Sequence, residues 1–244
     1  MKKVEKIGVD NLLFETLFSK VFFILSIQLM VTTIACVGLI QYIRYLYNVK
    51  KVDWIGATYI GKGKVDLHID FRYISKYFWA LLIVNFLVFI ILLFNQHNFG
   101  LAMILFTIWS ILTGVEVALA LIAVDENLGT KVLAITASIT FLTALIGLYS
   151  GIDFSFMGKF LLIGLIILVV INILRIFIKI SGTKRKIIAF FGVALFTLYL
   201  IFDFNRITRS ENNWYEAMNI AINIYLDIIN LFLYLLDLLS AFSK

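Results

Sequence analysis

The chain has 244 residues, of which 62% are hydrophobic and 15% charged, with a formal net charge of +6. A soluble domain runs at about 45–50% apolar and about 25% charged, so a single water-facing globule cannot hide this much apolar surface and a large soluble catalytic domain is excluded. The excess cations read as loop residues facing anionic headgroups rather than as a nucleic-acid surface, and the single Cys36 rules out a disulfide framework or a thiolate zinc cage.

At roughly 20 residues per membrane-spanning helix, the length has room for about seven spans. Seven apolar runs can be drawn, at 21–40, 77–94, 99–124, 132–149, 160–178, 187–207 and 217–239. Their apolarity is continuous rather than alternating, which favours helices over barrel strands. The expected fold is an all-α integral membrane protein, one polytopic unit over 1–244. The first run follows an amphipathic stretch, 1–20, without a small-residue cleavage site, so it is expected to be retained as a span.

The segment 41–76 is the expected extramembrane loop. In it Val65, Leu67, Ile69, Phe71 and Tyr73 alternate with Asp66, His68, Asp70 and Arg72 after the turn-like Gly61, Lys62, Gly63. That period predicts a β-hairpin at the membrane surface, anchored by Trp54, Tyr59 and Tyr73. Asp66, His68 and Asp70 read as a solvated strand face, since Arg72 continues it, and not as a metal site. Further along, Gly147 and Gly151 have a GxxxG spacing but stand where the fourth run ends, and a helix exit is the preferred reading over a packing motif. The chain has no proline, so any helix break must come from glycine or a polar insertion.

Orientation follows from Lys and Arg. The N-terminal segment and the loops on its side carry Lys2, Lys3, Lys6, Lys20, Lys159, Arg206 and Arg209, against fourteen cations on the other side. This bias predicts the N-terminus outside and the C-terminus inside.

A charge at the bilayer centre costs roughly 2.5 to 3.5 kcal/mol even on the mildest scale, so acids inside spans are the strongest functional signal. Glu116, Asp203 and Asp227 qualify. At about 100° per residue, Asn219, Asn223, Asp227, Asn230, Tyr234 and Asp237 fall within an arc of about 80° on the last helix. Such a stripe must face the bundle interior or a water-filled path, unless the asparagines only join helices. Asp203 has Arg206 one turn later. The short connection 209–213 makes the last two helices antiparallel neighbours, so Asp203 and Asp227 can approach. Two touching carboxyls do not ionise together comfortably and share a proton; deprotonated, they offer hard oxygen ligands suited to Ca²⁺. Glu116, one turn after Thr113, is a further candidate for a cation path or for the same network, or else a protonated, hydrogen-bonded carboxyl.

The segment Tyr225, Leu226, Asp227, Ile228, Ile229, Asn230, Leu231, Phe232 resembles the last-helix signature of the transmembrane Bax inhibitor motif family. Phe202, Asp203, Phe204, Asn205, Arg206, Ile207 is similar to that family's sixth-helix pattern. The resemblance implies seven helices arranged around a central C-terminal helix. It also implies that Asp203 and Asp227 form a pH-sensing dyad controlling a Ca²⁺ leak, with Ca²⁺ as permeant ion and no cofactor. Two departures stand out: Asn95, Gln96 and His97 lie where the family often has a latching Arg, and Asp237 lies where an Arg is common. Both changes are expected to remove cationic partners of the dyad.

The favoured reading is therefore a pH-sensitive Ca²⁺-permeable leak channel, not an enzyme. An intramembrane aspartyl protease is disfavoured because Asp227 lacks a Gly-x-Gly-Asp setting. The alternative is a non-conducting interaction protein that modulates a membrane protease or another integral partner. The expected partners are the lipid bilayer, Ca²⁺ and protons, and no nucleic acid. Richness in Lys, Ile, Phe and Asn points to a low-GC bacterial genome and hence to the bacterial plasma (inner) membrane.

Overall fold

In a computed structural model, residues 14–61, 64–124, 126–178 and 181–242 are described. Helix α1 (Leu17–Tyr45) starts at a capping box in which Thr16 and Ser19 satisfy each other's backbone amides, the reciprocal solution for orphan N–H groups. It runs on through a π-helical turn (Leu46–Lys50) to Lys51, whose φ of 49° ends it. Strands β1 (Ile55–Gly61) and β2 (Lys64–Ile69) pair antiparallel, with Ile55 opposite Ile69 and Ala57 opposite Leu67. Then follow α2 (Phe71–Phe94), α3 (Phe99–Ile122), α4 (Glu126–Tyr149), α5 (Gly158–Phe177), α6 (Thr183–Ile207) and α7 (Trp214–Phe242). Seven stretches among the described residues are long and apolar enough to cross a membrane. The protein is a multi-pass membrane protein.

Several expected boundaries move outward. The first helix begins before residue 21 and extends past residue 40, α2 begins at Phe71 rather than 77, and α4 begins at Glu126 rather than 132. The extramembrane part of 41–76 is therefore shorter than expected. Hydropathy marks where the hydrocarbon ends, whereas a helix keeps its backbone bonds until a cap or a left-handed residue stops it. Tyrosines and long cations such as Arg44 can continue it through the interface, with polar tips in the headgroups. The hairpin exists, but its second strand stops at Ile69. Asp70 leaves the expected strand face and instead caps α2, accepting from the Arg72 amide at 3.0 Å. The Arg72 guanidinium also donates to both Asp70 oxygens and holds that carboxyl below the usual carboxylate range. Phe71 and Tyr73 are consequently helical. Lys62 and Gly63 of the expected turn, like residues 1–13, lie outside the described residues.

The last helix is central. It packs against α6, α1, α4 and α3, while α2 leans on α3 and α5 on α6 at the periphery. Half of the α7 span is buried, against 11% for α2 and for the span containing α5. The outer faces carry exposed Phe94, Phe177 and Ile163, as a lipid-facing surface requires, because hydrocarbon solvates such side chains as well as a core does. Two glycines let helices approach where any side chain would collide. A Cβ on Gly114 of α3 would sit 2.5 Å from the Thr32 carbonyl of α1, and one on Gly147 of α4 would sit 2.7 Å from the Ile201 carbonyl of α6. Gly147 is thus a packing residue, contrary to the helix-exit reading, whereas Gly151, with φ of +70°, does turn the chain out of α4.

Candidate functional site

The short α6–α7 connection brings the two helices together antiparallel, and Asn213 caps the start of α7 by accepting from the Glu216 amide at 2.8 Å. Asp203 and Asp227, 3% and 4% exposed, face each other across this interface, close enough for their carboxyls to interact. Arg206 donates to Asp203 at 3.1 Å and to the Asn219 amide oxygen at 2.8 Å. The Asn219 nitrogen in turn donates to Gln96 Oε1 at 2.9 Å, and Asn223 donates to Asn219 at 3.3 Å. Asp227 Oδ2 is buried with no hydrogen-bond partner. A buried charged oxygen without a donor is strongly disfavoured.

Positions 95–97 and 237 carry no cation. Arg206, expected one turn after Asp203, donates to it, and Gln96, just past the end of α2, joins the network through Asn219. His97 turns away to stack on Tyr215, ring centres 4.3 Å apart.

The polar stripe of α7 does not form one path. Asn219, Asn223 and Asp227 belong to the Arg206 network, whereas Asn230 turns its amide back to the Leu226 carbonyl at 2.8 Å. Asp237 sits in a separate cluster near the other end. Arg185 of α6 pairs with it at 2.6 Å and Arg175 of α5 at 3.1 Å, and Arg185 also reaches the Ser240 hydroxyl at 3.1 Å. One turn before it Tyr234 takes a hydrogen bond from Asn172 of α5 and lies over Gly192. The central helix is thus held by an arginine–amide network around Asn219 toward one end and by ion pairs at Asp237 near the other.

Two further polar groups line the interior. Glu116 faces Asn85 of α2, and one oxygen of each is buried without a partner, as is Thr113 Oγ1. Glu116 is not joined to the dyad by any hydrogen bond among the described residues. A cluster around fully buried Tyr225 has no counterpart in the expected site. Thr32 Oγ1 donates to the Gln28 carbonyl at 2.8 Å, so the Tyr225 hydroxyl, 2.6 Å away, is the donor to Thr32. Ser110 donates to Gln28 Oε1 at 3.0 Å. The only sequence signal for this cluster was a pair of polar residues one turn apart, Gln28 and Thr32, inside an otherwise apolar span. Interhelical hydrogen bonds in membranes are worth about 0.6 kcal/mol on average and at most about 1.7. Tyr225→Phe is expected to destabilise the bundle by about 1 kcal/mol, measured by reversible unfolding in mixed micelles with the wild type alongside.

Asn205 and Arg209 form a further polar cluster at the end of α6. The Asn205 amide donates to the Gly147 carbonyl at 2.8 Å and to the Ile152 carbonyl at 3.0 Å, and its oxygen accepts from the Phe154 amide at 3.0 Å. Arg209 pairs with Asp153, Ser155 and Asn205. Together they tie the α4–α5 connection to the end of α6. Lys20 does the same for α1, donating to Asn212 at 2.8 Å. The N-terminus of α1 and the α6–α7 connection therefore lie on one side.

These features define a seven-span helical membrane protein with a buried, arginine-linked carboxyl pair at its central helix. The chain belongs to the family described as Inhibitor of apoptosis-promoting Bax1, whose pattern matches residues 15–244. It is 27% identical over 178 residues to an uncharacterized protein of Helicobacter pylori (strain J99), covering 71% of this chain and 76% of that one. It is 39% identical over 90 residues to Protein LIFEGUARD 1 of Arabidopsis thaliana, 37% of this chain and 38% of that protein. A Golgi anti-apoptotic protein of Vaccinia virus is 37% identical over 97 residues, 40% of each chain.

Proposed function

We propose that the protein is a pH-sensitive, Ca²⁺-permeable leak channel of a bacterial plasma membrane, in which Asp203 and Asp227 form the proton-responsive element. The observation that carries this reading is the buried Asp203–Asp227 contact with an unpartnered Asp227 oxygen beside Arg206. With one proton on the pair, the site is neutral overall: one carboxylate faces one guanidinium, and the proton bridges to the second carboxyl. Adding a second proton discharges Asp203 and loosens Arg206; removing the first leaves two carboxylates against one cation. Either change strains the seam between α6 and α7, which is the seam that would have to part for a cation to pass. The oxygens exposed on parting are hard ligands for Ca²⁺ as cargo, fewer than the six to eight it prefers. They suit transient passage with retained waters rather than residence.

The reading of a non-conducting partner protein keeps the same family and the same bundle but assigns no role to the carboxyl pair. Ca²⁺ flux into proteoliposomes across a pH series separates the two. Wild type is expected to pass Ca²⁺ with a pH-dependent rate, and Asp203→Asn and Asp227→Asn are expected each to flatten that dependence. Absence of flux at every pH, or a pH profile indifferent to both substitutions, overturns the proposal.

A further inference from the structure

Thr32, Thr33, Thr107, Thr136 and Thr197, all inside spans, turn their hydroxyls back onto the carbonyl four residues earlier at 2.7–2.8 Å. A hydroxyl with no water to meet retreats in this way. Thr113 of α3, 4% exposed, does not, and its Oγ1 is buried with no partner. One turn along the same helix Glu116 Oε1 is equally unpartnered, and so is Oδ1 of Asn85, 8% exposed, which faces Glu116 from α2. The only residues that α2 buries are Asn85 and Leu92. A helix with little to bury thus turns an amide inward, onto a carboxyl. Residues three apart on a helix are neighbours, so three oxygens without a donor gather at one α2–α3 seam.

Each of these oxygens costs free energy in hydrocarbon unless something donates to it or binds it. No ion pair among the described residues reaches Glu116. Tyr225 of the central helix lies within electrostatic reach of Glu116, but its hydroxyl proton is given to Thr32. A carboxylate, an amide oxygen and a hydroxyl oxygen are hard ligands, the set that hard cations take. Charge chooses among such ions. With one carboxylate a monovalent cation makes the seam neutral, whereas a divalent ion leaves an excess charge inside the bilayer, where charges are expensive.

The seam stands apart from the carboxyl pair. Phe99 at the start of α3 packs on Trp214 at the start of α7, ring centres 4.6 Å apart, so both helices start on the side of the α6–α7 connection. Asp203 stands four residues from the end of α6 on that side, and Glu116 six residues from the end of α3 on the other. Those six residues are about 9 Å of helix. Glu116 is only half-buried, so the seam is not sealed against an ion that arrives with some of its waters.

We propose that Asn85, Thr113 and Glu116 form a binding site for a small monovalent cation such as Na⁺, distinct from the Asp203–Asp227 pair and closed to divalent ions by its single negative charge. The bound ion satisfies the three oxygens at once and fastens α2 to α3.

The test is protection from dicyclohexylcarbodiimide, with the full chain in nanodiscs at fixed pH and ionic strength. The reagent adds to a protonated carboxyl in apolar surroundings and ends as a stable N-acylurea, located by peptide mass spectrometry. Replacing choline with Na⁺ is expected to slow labelling of Glu116 severalfold and to leave labelling of Asp203 and Asp227 unchanged. Ca²⁺ at equal ionic strength is expected to give no protection at Glu116. Asn85→Leu and Thr113→Val are each expected to raise severalfold the Na⁺ concentration needed for half protection, and Thr113→Ser to keep the wild-type value. Size-exclusion chromatography verifies that each variant remains folded. In parallel, Na⁺ is expected to raise the melting temperature of wild type but not of Glu116→Gln. Labelling of Glu116 that is indifferent to Na⁺ overturns the proposal and leaves the carboxyl holding a proton alone. Equal protection by Ca²⁺ overturns it too, as does Na⁺ protection undiminished in both the Leu and Val variants. No label at Glu116 together with no Na⁺-dependent rise in melting temperature has the same consequence. No ion flux enters these readouts, so failure of this site and failure of the leak reading are distinguishable.

Discussion

Replacing Arg206 with methionine is expected to destabilise the bundle by about 3 kcal/mol and to raise Ca²⁺ flux while blunting its pH dependence. The reason is the asymmetry of the ion pair: Asp203 is 4% exposed at its side chain and Arg206 26%. Removing the cation strands a carboxylate that water cannot reach. Breaking a buried pair in this way costs about 3–5 kcal/mol, and partial exposure of Arg206 places the effect at the low end. The substitution also frees the Asn219 oxygen that holds α7 to the same guanidinium. The diagnostic arm is the double variant Arg206→Met with Asp203→Asn. If the cost comes from the stranded charge, the second change recovers most of it, a coupling measurable by a double-mutant cycle. A double variant no more stable than Arg206→Met alone would show that packing of the arginine stem, and not charge, was lost.

The second large effect is expected at Gly114→Val. A Cβ there would lie 2.5 Å from the Thr32 carbonyl and 2.7 Å from Ala35 Cβ, and the nearest obstacle is backbone, which cannot rotate aside. Overpacking a close-packed interior costs typically about 1–3 kcal/mol; two rigid neighbours and a branched side chain place this case near the top. Displacing α1 from α3 would also pull Thr32 from Tyr225, so the α1–α3 and α1–α7 contacts fail together. Reversible unfolding in mixed micelles, with Gly38→Val as the control in open space, reads the difference directly. Equal stability of the two variants would mean that the α1–α3 crossing is free to relax.

The number of spans was legible because it depends on length and continuous apolarity, which are local properties of the chain. The Asp203–Arg206 link was legible too, since residues three apart on a helix are neighbours whatever surrounds them. The meeting of Asp203 with Asp227 required only that a short connection make adjacent helices antiparallel. Beyond that reach the reading failed in an orderly way. Asp237 looked like part of one stripe, yet its partners Arg175 and Arg185 stand 62 and 52 residues away. The strand period ran on to Tyr73 because Asp70 serves equally as a polar strand residue and as a helix cap, and only its contact with the Arg72 amide distinguishes the two.

The sequence by itself determined that this is a seven-span membrane protein, that its acids inside the spans are few, and which two of them share a seam. The tertiary structure decided which polar groups meet across helices. It broke the stripe of α7 into two clusters, one around Asn219 and Arg206 and one around Asp237, Arg175 and Arg185. The physical reason is that hydrophobic period places a residue on a face, whereas the rotation and crossing of helices place that face against a neighbour. Here close approaches such as those at Gly114 and Gly147 set that geometry, and a glycine among apolar residues does not announce which backbone it will touch.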